Sequence, residues 1–250
     1  MPIIYKVGLL VAVFLVLLYA FQGFYPDFIY FFSNASPPVI AGAAVVTSGI
    51  ALERYWRKAR GEFPRAWLYF TLGLFFWFVG EAVWAGYTLV LGVELPYPSI
   101  ADVFWMVGYF PLFMGLFSYI KLFRDAITWK KLAATLAVTV VFTSVSMSLL
   151  VPLIFGAKED LAIKILNFAY PVMDLVLFAV AHLGLLIFWK GKIGKSWLLI
   201  SLAIATATCA DVFFSYATFK GVYYSGHMDA LYDIAYLLFI MAFYVHAKEL

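Results

Sequence analysis

The chain has 250 residues and a formal net charge of +3; 66% of its residues are hydrophobic and only 12% are charged. Soluble globular domains carry about 25% charged residues, so the composition excludes that class and indicates an integral membrane protein surrounded by a lipid bilayer. Nothing in it indicates a nucleic-acid partner. The sequence has a single cysteine, Cys209, so it cannot form a disulfide framework or a cysteine-rich metal site.

Eight apolar segments follow one another along the chain, and each is long enough to cross the hydrocarbon core. We predict an all-α protein with eight transmembrane helices in a single membrane domain over residues 1–250. The first segment lacks a small-residue cleavage site and is therefore predicted to be a retained helix. The segments cover residues 4–22, 37–54, 66–92, 98–123, 129–155, 166–189, 196–219 and 229–247.

The second segment is predicted to begin at Pro37-Pro38, because proline has no N–H group and suits a first helical turn. Residues 25–36, which precede it, are rich in aromatic side chains. Such side chains prefer the membrane–water interface, so we expect this stretch to lie there.

The basic residues predict the orientation of the bundle. Of the 17 lysines and arginines, 14 lie at the two ends of the chain or in the loops after helices 2, 4 and 6. Cytoplasmic loops are enriched in these residues, so both termini are predicted to be cytoplasmic, in a cell membrane.

Three of the apolar segments carry an aspartate close to the predicted outer face. Asp102 follows Tyr97-Pro-Ser-Ile-Ala at the start of helix 4, and Asp174 follows Tyr170-Pro-Val-Met, which is predicted to open helix 6. Asp233 lies one turn after Asp229 in helix 8. Each of these acids has two interpretations, a helix cap or a member of a binding site.

Two further acids, Glu81 and Asp211, lie well inside helices 3 and 7, where capping cannot explain them. An acid at such a depth usually faces the bundle interior and has a partner. We therefore predict a binding site, with a structural hydrogen bond to tyrosine or tryptophan as the alternative. The candidate ligand-binding residues are Glu81, Trp84, Asp102, Trp105, Tyr109, Asp174, Asp211 and Asp233.

The same positions indicate an internal repeat. Trp67-Leu68 matches Trp197-Leu198, Glu81 matches Asp211, and Asp102 matches Asp233 after one inserted residue. Helices 3–4 and 7–8 run in the same directions, so this would be a parallel repeat about an axis along the membrane normal.

The stretch from Trp67 to Phe123 resembles the N-terminal membrane module of many prokaryotic signalling proteins, which precedes GGDEF cyclase or histidine-kinase domains. The resemblance lies in Gly80-Glu81, Trp84, Tyr87, the run Gly92-Val-Glu-Leu-Pro-Tyr-Pro-Ser-Ile-Ala-Asp102-Val-Phe, and Gly108-Tyr109. It implies a multi-helix sensory bundle. The chain ends at Leu250, about where an output domain would begin, so we expect a separate cytoplasmic signalling partner.

Three functions are compatible with these patterns. The first is a stand-alone sensor whose outward-facing acidic and aromatic pocket binds a small molecule or cation. The second is a small cation- or proton-coupled transporter that uses Glu81 and Asp211. The third, an intramembrane enzyme, is less favoured because no nucleophile motif, catalytic residue or metal constellation is evident. The sequence does not indicate which cofactor, if any, the protein uses. The scarcity of asparagine and glutamine is typical of thermophilic proteins.

Overall fold

The computed structural model describes residues 3–58, 60–93, 97–222, 226 and 228–249, and these form eight long α-helices without a strand. All eight are long and apolar enough to cross a membrane, which confirms the predicted all-α, multi-pass architecture. The helices are α1 (Ile3–Ala20), α2 (Pro26–Lys58), α3 (Glu62–Ala85), α4 (Ile100–Lys121), α5 (Trp129–Gly156), α6 (Leu161–Phe188), α7 (Gly194–Phe219) and α8 (Asp229–Glu249).

Six of the helices form a closed ring. In order around the ring, α2 packs on α3, α3 on α4, α4 on α6, α6 on α7, α7 on α8, and α8 again on α2. The other two lie outside it: α1 packs on α8, and α5 packs on α6 and α7. Both outer helices expose many large apolar side chains, such as Leu10 and Val141, as expected of surfaces that face lipid.

The interior of the ring is filled mainly by aromatic side chains. Trp67 and Trp197, the two residues that the proposed repeat superimposes, are both completely buried. Glycine allows the helices to approach each other closely at these rings. A Cβ atom on Gly184 would lie 2.0 Å from the Trp197 ring, and one on Gly108 would lie 2.5 Å from the Trp77 ring. Small residues at such contacts are typical of packed membrane helices.

Two predicted helix starts are wrong. Helix α2 begins at Pro26 and passes through Pro37 and Pro38, so the aromatic stretch 25–36 is mostly helical. Membrane helices tolerate internal proline when neighbouring groups satisfy the freed backbone atoms. Helix α6 begins at Leu161, which places Pro171 in its interior, so Asp174 lies far from the first turn.

Two short 3₁₀ turns, Gln22–Phe24 and Arg124–Ala126, join helices, and the last residues of α3 continue as a π-helix over Gly86–Leu91. Residues 94–96, which belong to the stretch that resembles the sensory module, lie outside the described part of the chain. The acid-bearing turns of α4 and α8 are at one end of the ring. We call this the acid end.

Candidate functional site

The first turn of α4 positions Asp102 as a helix cap, one of the two roles predicted for it. Ser99 is the N-cap: its Oγ accepts from the Asp102 N–H at 3.4 Å, and its own N–H donates to Asp102 Oδ2 at 2.7 Å. This reciprocal arrangement is a capping box. The other oxygen, Oδ1, accepts a hydrogen bond of 2.8 Å from the Tyr170 hydroxyl of α6. Asp102 is therefore a helix cap that also joins α4 to α6.

Asp174 and Asp211 come together between α6 and α7. The Tyr109 hydroxyl of α4 lies 2.7 Å from Asp174 Oδ1 and 3.3 Å from Asp211 Oδ2. The two carboxyl groups are also within hydrogen-bonding reach of each other. The Tyr232 hydroxyl of α8 donates to Asp211 Oδ1 at 2.7 Å. Four helices of the ring thus meet at one pair of acids.

Glu81 of α3 is 8% exposed and accepts a 2.8 Å hydrogen bond from the Tyr236 hydroxyl of α8. The charged groups close enough to act on it electrostatically are Asp211, Asp229 and Asp233. All three are acids, so Glu81 faces the same group of carboxylates rather than a separate basic partner.

Asp233 of α8 is completely buried and lies where α1, α2 and α8 meet. Its Oδ2 accepts from the Ser36 hydroxyl of α2 at 2.7 Å and from the Tyr19 hydroxyl of α1 at 3.1 Å. Its Oδ1 is buried without a hydrogen-bond donor among the described residues. One turn earlier, Asp229 accepts from the Gly226 N–H at 2.7 Å, which fixes the start of α8.

Tyr97 lies in the segment before α4, outside the helices, and donates a hydrogen bond to the Asn167 side-chain oxygen of α6. Burial raises the pKa of Tyr97, and the negative charges of Asp102 and Glu159 raise it further. The phenol therefore stays protonated at neutral pH and remains a donor that attaches this segment to α6.

The two predicted tryptophans have a different role from the tyrosines. The Trp84 and Trp105 rings lie 6.1 Å apart, and the Trp84 N–H donates to the Asn34 side-chain oxygen at 2.8 Å. Trp105 lies directly against Gly80, where an added Cβ would be 2.5 Å from its Nε1. The two indoles thus pack beside Glu81, whereas the side chains that donate hydrogen bonds to the acids are tyrosines and serines.

The five acids Glu81, Asp102, Asp174, Asp211 and Asp233 are called the acid cluster below. Asp211 connects its parts, because it lies within electrostatic reach of Glu81, of Asp174 and of the Tyr170 hydroxyl that binds Asp102. Within the described ranges, the ion pairs are Arg57 with Glu53 and Arg124 with Asp125, and neither involves the cluster. The structure therefore brings the predicted acids together, with hydroxyl groups and the Ser99 N–H as their hydrogen-bond donors.

A second buried polar group lies at the opposite end of the ring. The His246 side chain of α8 has the Tyr55 hydroxyl 2.7 Å from Nδ1 and the Tyr119 hydroxyl 2.7 Å from Nε2. Tyr55 also donates to the His246 backbone carbonyl at 3.1 Å. A hydroxyl has one hydrogen, so the tautomer with hydrogen on Nδ1 satisfies every atom: Nδ1–H donates to Tyr55, and Tyr119 donates to Nε2.

Several residues of these two groups were not predicted. Tyr232 and Tyr236 flank Asp233 and lie four residues apart on α8, a spacing that places both on one helix face and could have indicated their shared role. Tyr19 and Ser36 carry no such signal, because their contact with Asp233 depends on where α1 and α2 dock. The same holds for Tyr55 and Tyr119.

Comparison of the chain with protein-family models, curated proteins and solved structures finds no match. Across the described ranges, no group of three or more histidine, cysteine, aspartate and glutamate side chains is arranged to hold a metal ion.

Proposed function

We propose that this chain is a membrane-embedded ligand-binding module whose acid cluster binds a cation or a cationic small molecule. The observation that supports this is the gathering of five acids from α3, α4, α6, α7 and α8 around tyrosine and serine hydroxyls. A carboxylate inside a membrane costs about 2.5–3.5 kcal/mol on insertion scales unless a partner compensates it. Among the described residues, no ion pair neutralises the cluster. A cationic ligand would supply that positive charge.

We further propose a sensory role in a cell membrane, with the acid end outside and the basic loops facing the cytoplasm. The basis is the resemblance of residues 67–123 to sensory membrane modules and the bias of lysine and arginine. In this role, ligand at the cluster changes how α8 packs on α1 and α2 through Asp233. A separate cytoplasmic protein responds to this change in helix packing at the His246 end.

An internal repeat is part of this proposal. The ring order α2-α3-α4-α6-α7-α8 returns to itself when α2, α3 and α4 are exchanged for α6, α7 and α8. A two-fold axis along the membrane normal would relate the six ring helices in this way, but it does not relate the outer helices, because α1 packs on α8 whereas α5 packs on α6 and α7. This order supports the superposition of Glu81 on Asp211 and of Trp67 on Trp197.

Thermal unfolding of the detergent-purified protein tests the binding proposal. Wild type and the variants Glu81→Gln and Asp102→Asn are compared across metal ions and organic cations. We expect at least one cation to raise the wild-type Tm and to raise it less in the variants, because ligand that binds only the native state stabilises it. Asp125→Asn is the control, since Asp125 is fully exposed. Equal shifts in all four proteins, or no shift at all, would contradict the proposal.

A cation- or proton-coupled transporter that uses Glu81 and Asp211 is the second candidate. It is favoured by one observation: Tyr236 and Tyr232, one turn apart on α8, donate to Glu81 and Asp211 respectively. Movement of α8 would therefore change the hydrogen bonding of both acids at once. Cation and proton flux into liposomes separates the candidates. A transporter shows flux that Glu81→Gln abolishes, whereas a sensor binds without flux.

The orientation is tested with single cysteines, which the sequence makes simple because Cys209 is the only native one. In a Cys209→Ser background, Arg60→Cys and Lys158→Cys are labelled in intact cells with a membrane-impermeant maleimide. We expect labelling at 158 and protection at 60. The reverse pattern would invert the proposed topology.

A further inference from the structure

We infer that Tyr109 is a proton bridge between Asp174 and Asp211, and that these two acids together bind one proton inside the membrane. The inference concerns the same acid cluster as the proposed function and names the proton as one of its ligands. It rests on atoms that the cation-binding proposal leaves without an assigned role.

The single hydrogen of the Tyr109 hydroxyl is the basis of this assignment. The Tyr109 hydroxyl has one hydrogen but contacts oxygens of two carboxyl groups, Asp174 Oδ1 at 2.7 Å and Asp211 Oδ2 at 3.3 Å. It can donate fully to one of them only. The second contact becomes a hydrogen bond if that carboxyl carries a proton and donates it to the Tyr109 oxygen. Two carboxyl groups within hydrogen-bonding reach of each other lead to the same requirement.

The remaining donors decide which oxygen holds the proton. Tyr232 donates to Asp211 Oδ1, so that oxygen acts as an acceptor and Oδ2 is the atom free to carry hydrogen. In this first state Asp211 Oδ2–H donates to Tyr109, and Tyr109 donates to Asp174. Asp174 is then the ionised member of the pair.

Asp174 Oδ2 provides the independent observation. Asp174 is 1% exposed, and this oxygen has no hydrogen-bond donor among the described residues. An unpaired oxygen of a charged carboxylate is costly to bury, whereas the carbonyl oxygen of a neutral acid is much less so. This favours a second state in which the proton is on Asp174 Oδ1 and donates to Tyr109, while Tyr109 donates to Asp211 Oδ2.

The two states are exchanged by a short transfer. The O–H bond of Asp211 breaks as a new O–H bond forms on Tyr109, and the original Tyr109 O–H bond breaks as one forms on Asp174. The three residues carry one negative charge before and after, and no electron is transferred. Both states contain the same hydrogen bonds between these groups, so the tyrosine can pass the proton without leaving its position.

The surroundings of the pair favour retention of the proton. The titratable groups that face it are Glu81 from α3, Tyr170 from α6, Cys209 from α7, and Tyr232 and Tyr236 from α8. None of these is a cation at neutral pH. A second negative charge on the pair would therefore have only hydroxyl donors to stabilise it.

Infrared difference spectroscopy between H₂O and D₂O tests the inference on the purified protein. A protonated carboxyl has a C=O band that shifts on deuteration, and an ionised one does not. We expect wild type to show such a band near neutral pH, and Asp174→Asn and Asp211→Asn each to lose the part of it that comes from this pair. In each variant the neutral amide takes the place of one acid and removes the need for a shared proton.

The bridge itself is tested by Tyr109→Phe, which deletes one oxygen and keeps the ring. We expect the band to shift, because the protonated carboxyl loses its hydrogen-bond partner. Tyr119→Phe is the matched control: it deletes a hydroxyl of the same helix that binds His246 at the opposite end of the ring, and the band should stay unchanged. An equal shift in both tyrosine variants would remove Tyr109 from the bridge.

Absence of a protonated-carboxyl band in the wild type overturns the inference without any variant. A band that is as strong in both asparagine variants as in the wild type also overturns it, since Glu81 and Asp233 are the other buried acids that could account for it. The cation-binding proposal is judged separately by its Tm shifts. If the infrared band is present but no cation shifts the Tm, the proton site stands and the cationic ligand is rejected. If cations shift the Tm but the band is absent, the cationic ligand stands and the proton site is rejected.

Discussion

The Tyr119 hydroxyl of α4 lies 2.7 Å from Nε2 of His246 in α8, at the end of the ring opposite the acid cluster. Both residues are 1% exposed, and Tyr55 of α2 occupies the other ring nitrogen. One imidazole thus joins three helices, two of which, α4 and α8, also carry acids of the cluster at their opposite ends.

Tyr119→Phe should destabilise the protein by about 1–3 kcal/mol, because it removes the donor to a buried nitrogen that water cannot reach. His246→Phe should cost at least as much, since it leaves both tyrosine hydroxyls without the imidazole. Detergent or chemical unfolding measures both changes. Tyr30→Phe, at a tyrosine that is half exposed, is the control and should stay within about 0.5 kcal/mol of wild type. A Tyr119→Phe protein as stable as that control would show that the imidazole contact adds nothing.

Ser99→Ala should cost about 1 kcal/mol, since it removes the N-cap of α4 and a second hydrogen bond of 2.7 Å to Asp102. Ser99→Thr keeps the hydroxyl and should recover most of the loss. Thermal unfolding of the two variants measures the effect, with Ser148→Ala, at an exposed position, as the control. Equal stability of the alanine and threonine variants would contradict a capping role.

Local signals in the sequence were sufficient for part of the site. A helix cap was one of the two interpretations of Asp102, because capping requires only neighbouring residues. The number of helices was predicted because the lengths of the apolar segments can be read from hydropathy. Glu81 and Asp211 were selected because depth in an apolar segment excludes capping. In each case the physical cause lies within one helix.

The rest depends on how helices pack, which one sequence does not encode locally. The pairing of Asp174 with Asp211 requires α6 and α7 to be neighbours and α4 to supply Tyr109 between them. The prediction that Asp174 lies near a helix start was wrong, because Pro171, an internal proline of a membrane helix, resembles a helix start in the sequence. The His246 group was missed since its two hydroxyl partners come from helices far away in the chain.

Tyr19 and Ser36 should act together, because both donate to the same oxygen of Asp233. After either Tyr19→Phe or Ser36→Ala, Oδ2 still has one donor. The double variant leaves a buried oxygen without any. We expect the double variant to lose more stability than the sum of the single losses, by about 0.5–3 kcal/mol. Unfolding of the four proteins completes the cycle.

A matched cycle uses Tyr19→Phe with Thr71→Ala, whose hydroxyl donates to the Trp67 carbonyl. These two sites share no partner, so their effects should add within about 0.5 kcal/mol. Additivity in both cycles would mean that α1 and α2 do not depend on a common carboxylate.

Gly184→Ala should be the most disruptive single-methyl change in the aromatic interior. Its Cβ would lie 2.0 Å from a carbon of the Trp197 ring, which is completely buried and cannot move aside without displacing its neighbours Phe188 and Tyr119. Overpacking of this kind costs about 1–3 kcal/mol, and here helix α6 must shift away from α7. Gly49→Ala supplies the control, because a Cβ there meets no atom within 4 Å and alanine is the better helix former by about 1 kcal/mol. Thermal unfolding should therefore show a lower Tm for Gly184→Ala and an unchanged or higher Tm for Gly49→Ala. If Gly184→Ala unfolds at the wild-type temperature, α6 and α7 do not pack as closely at Trp197 as described above.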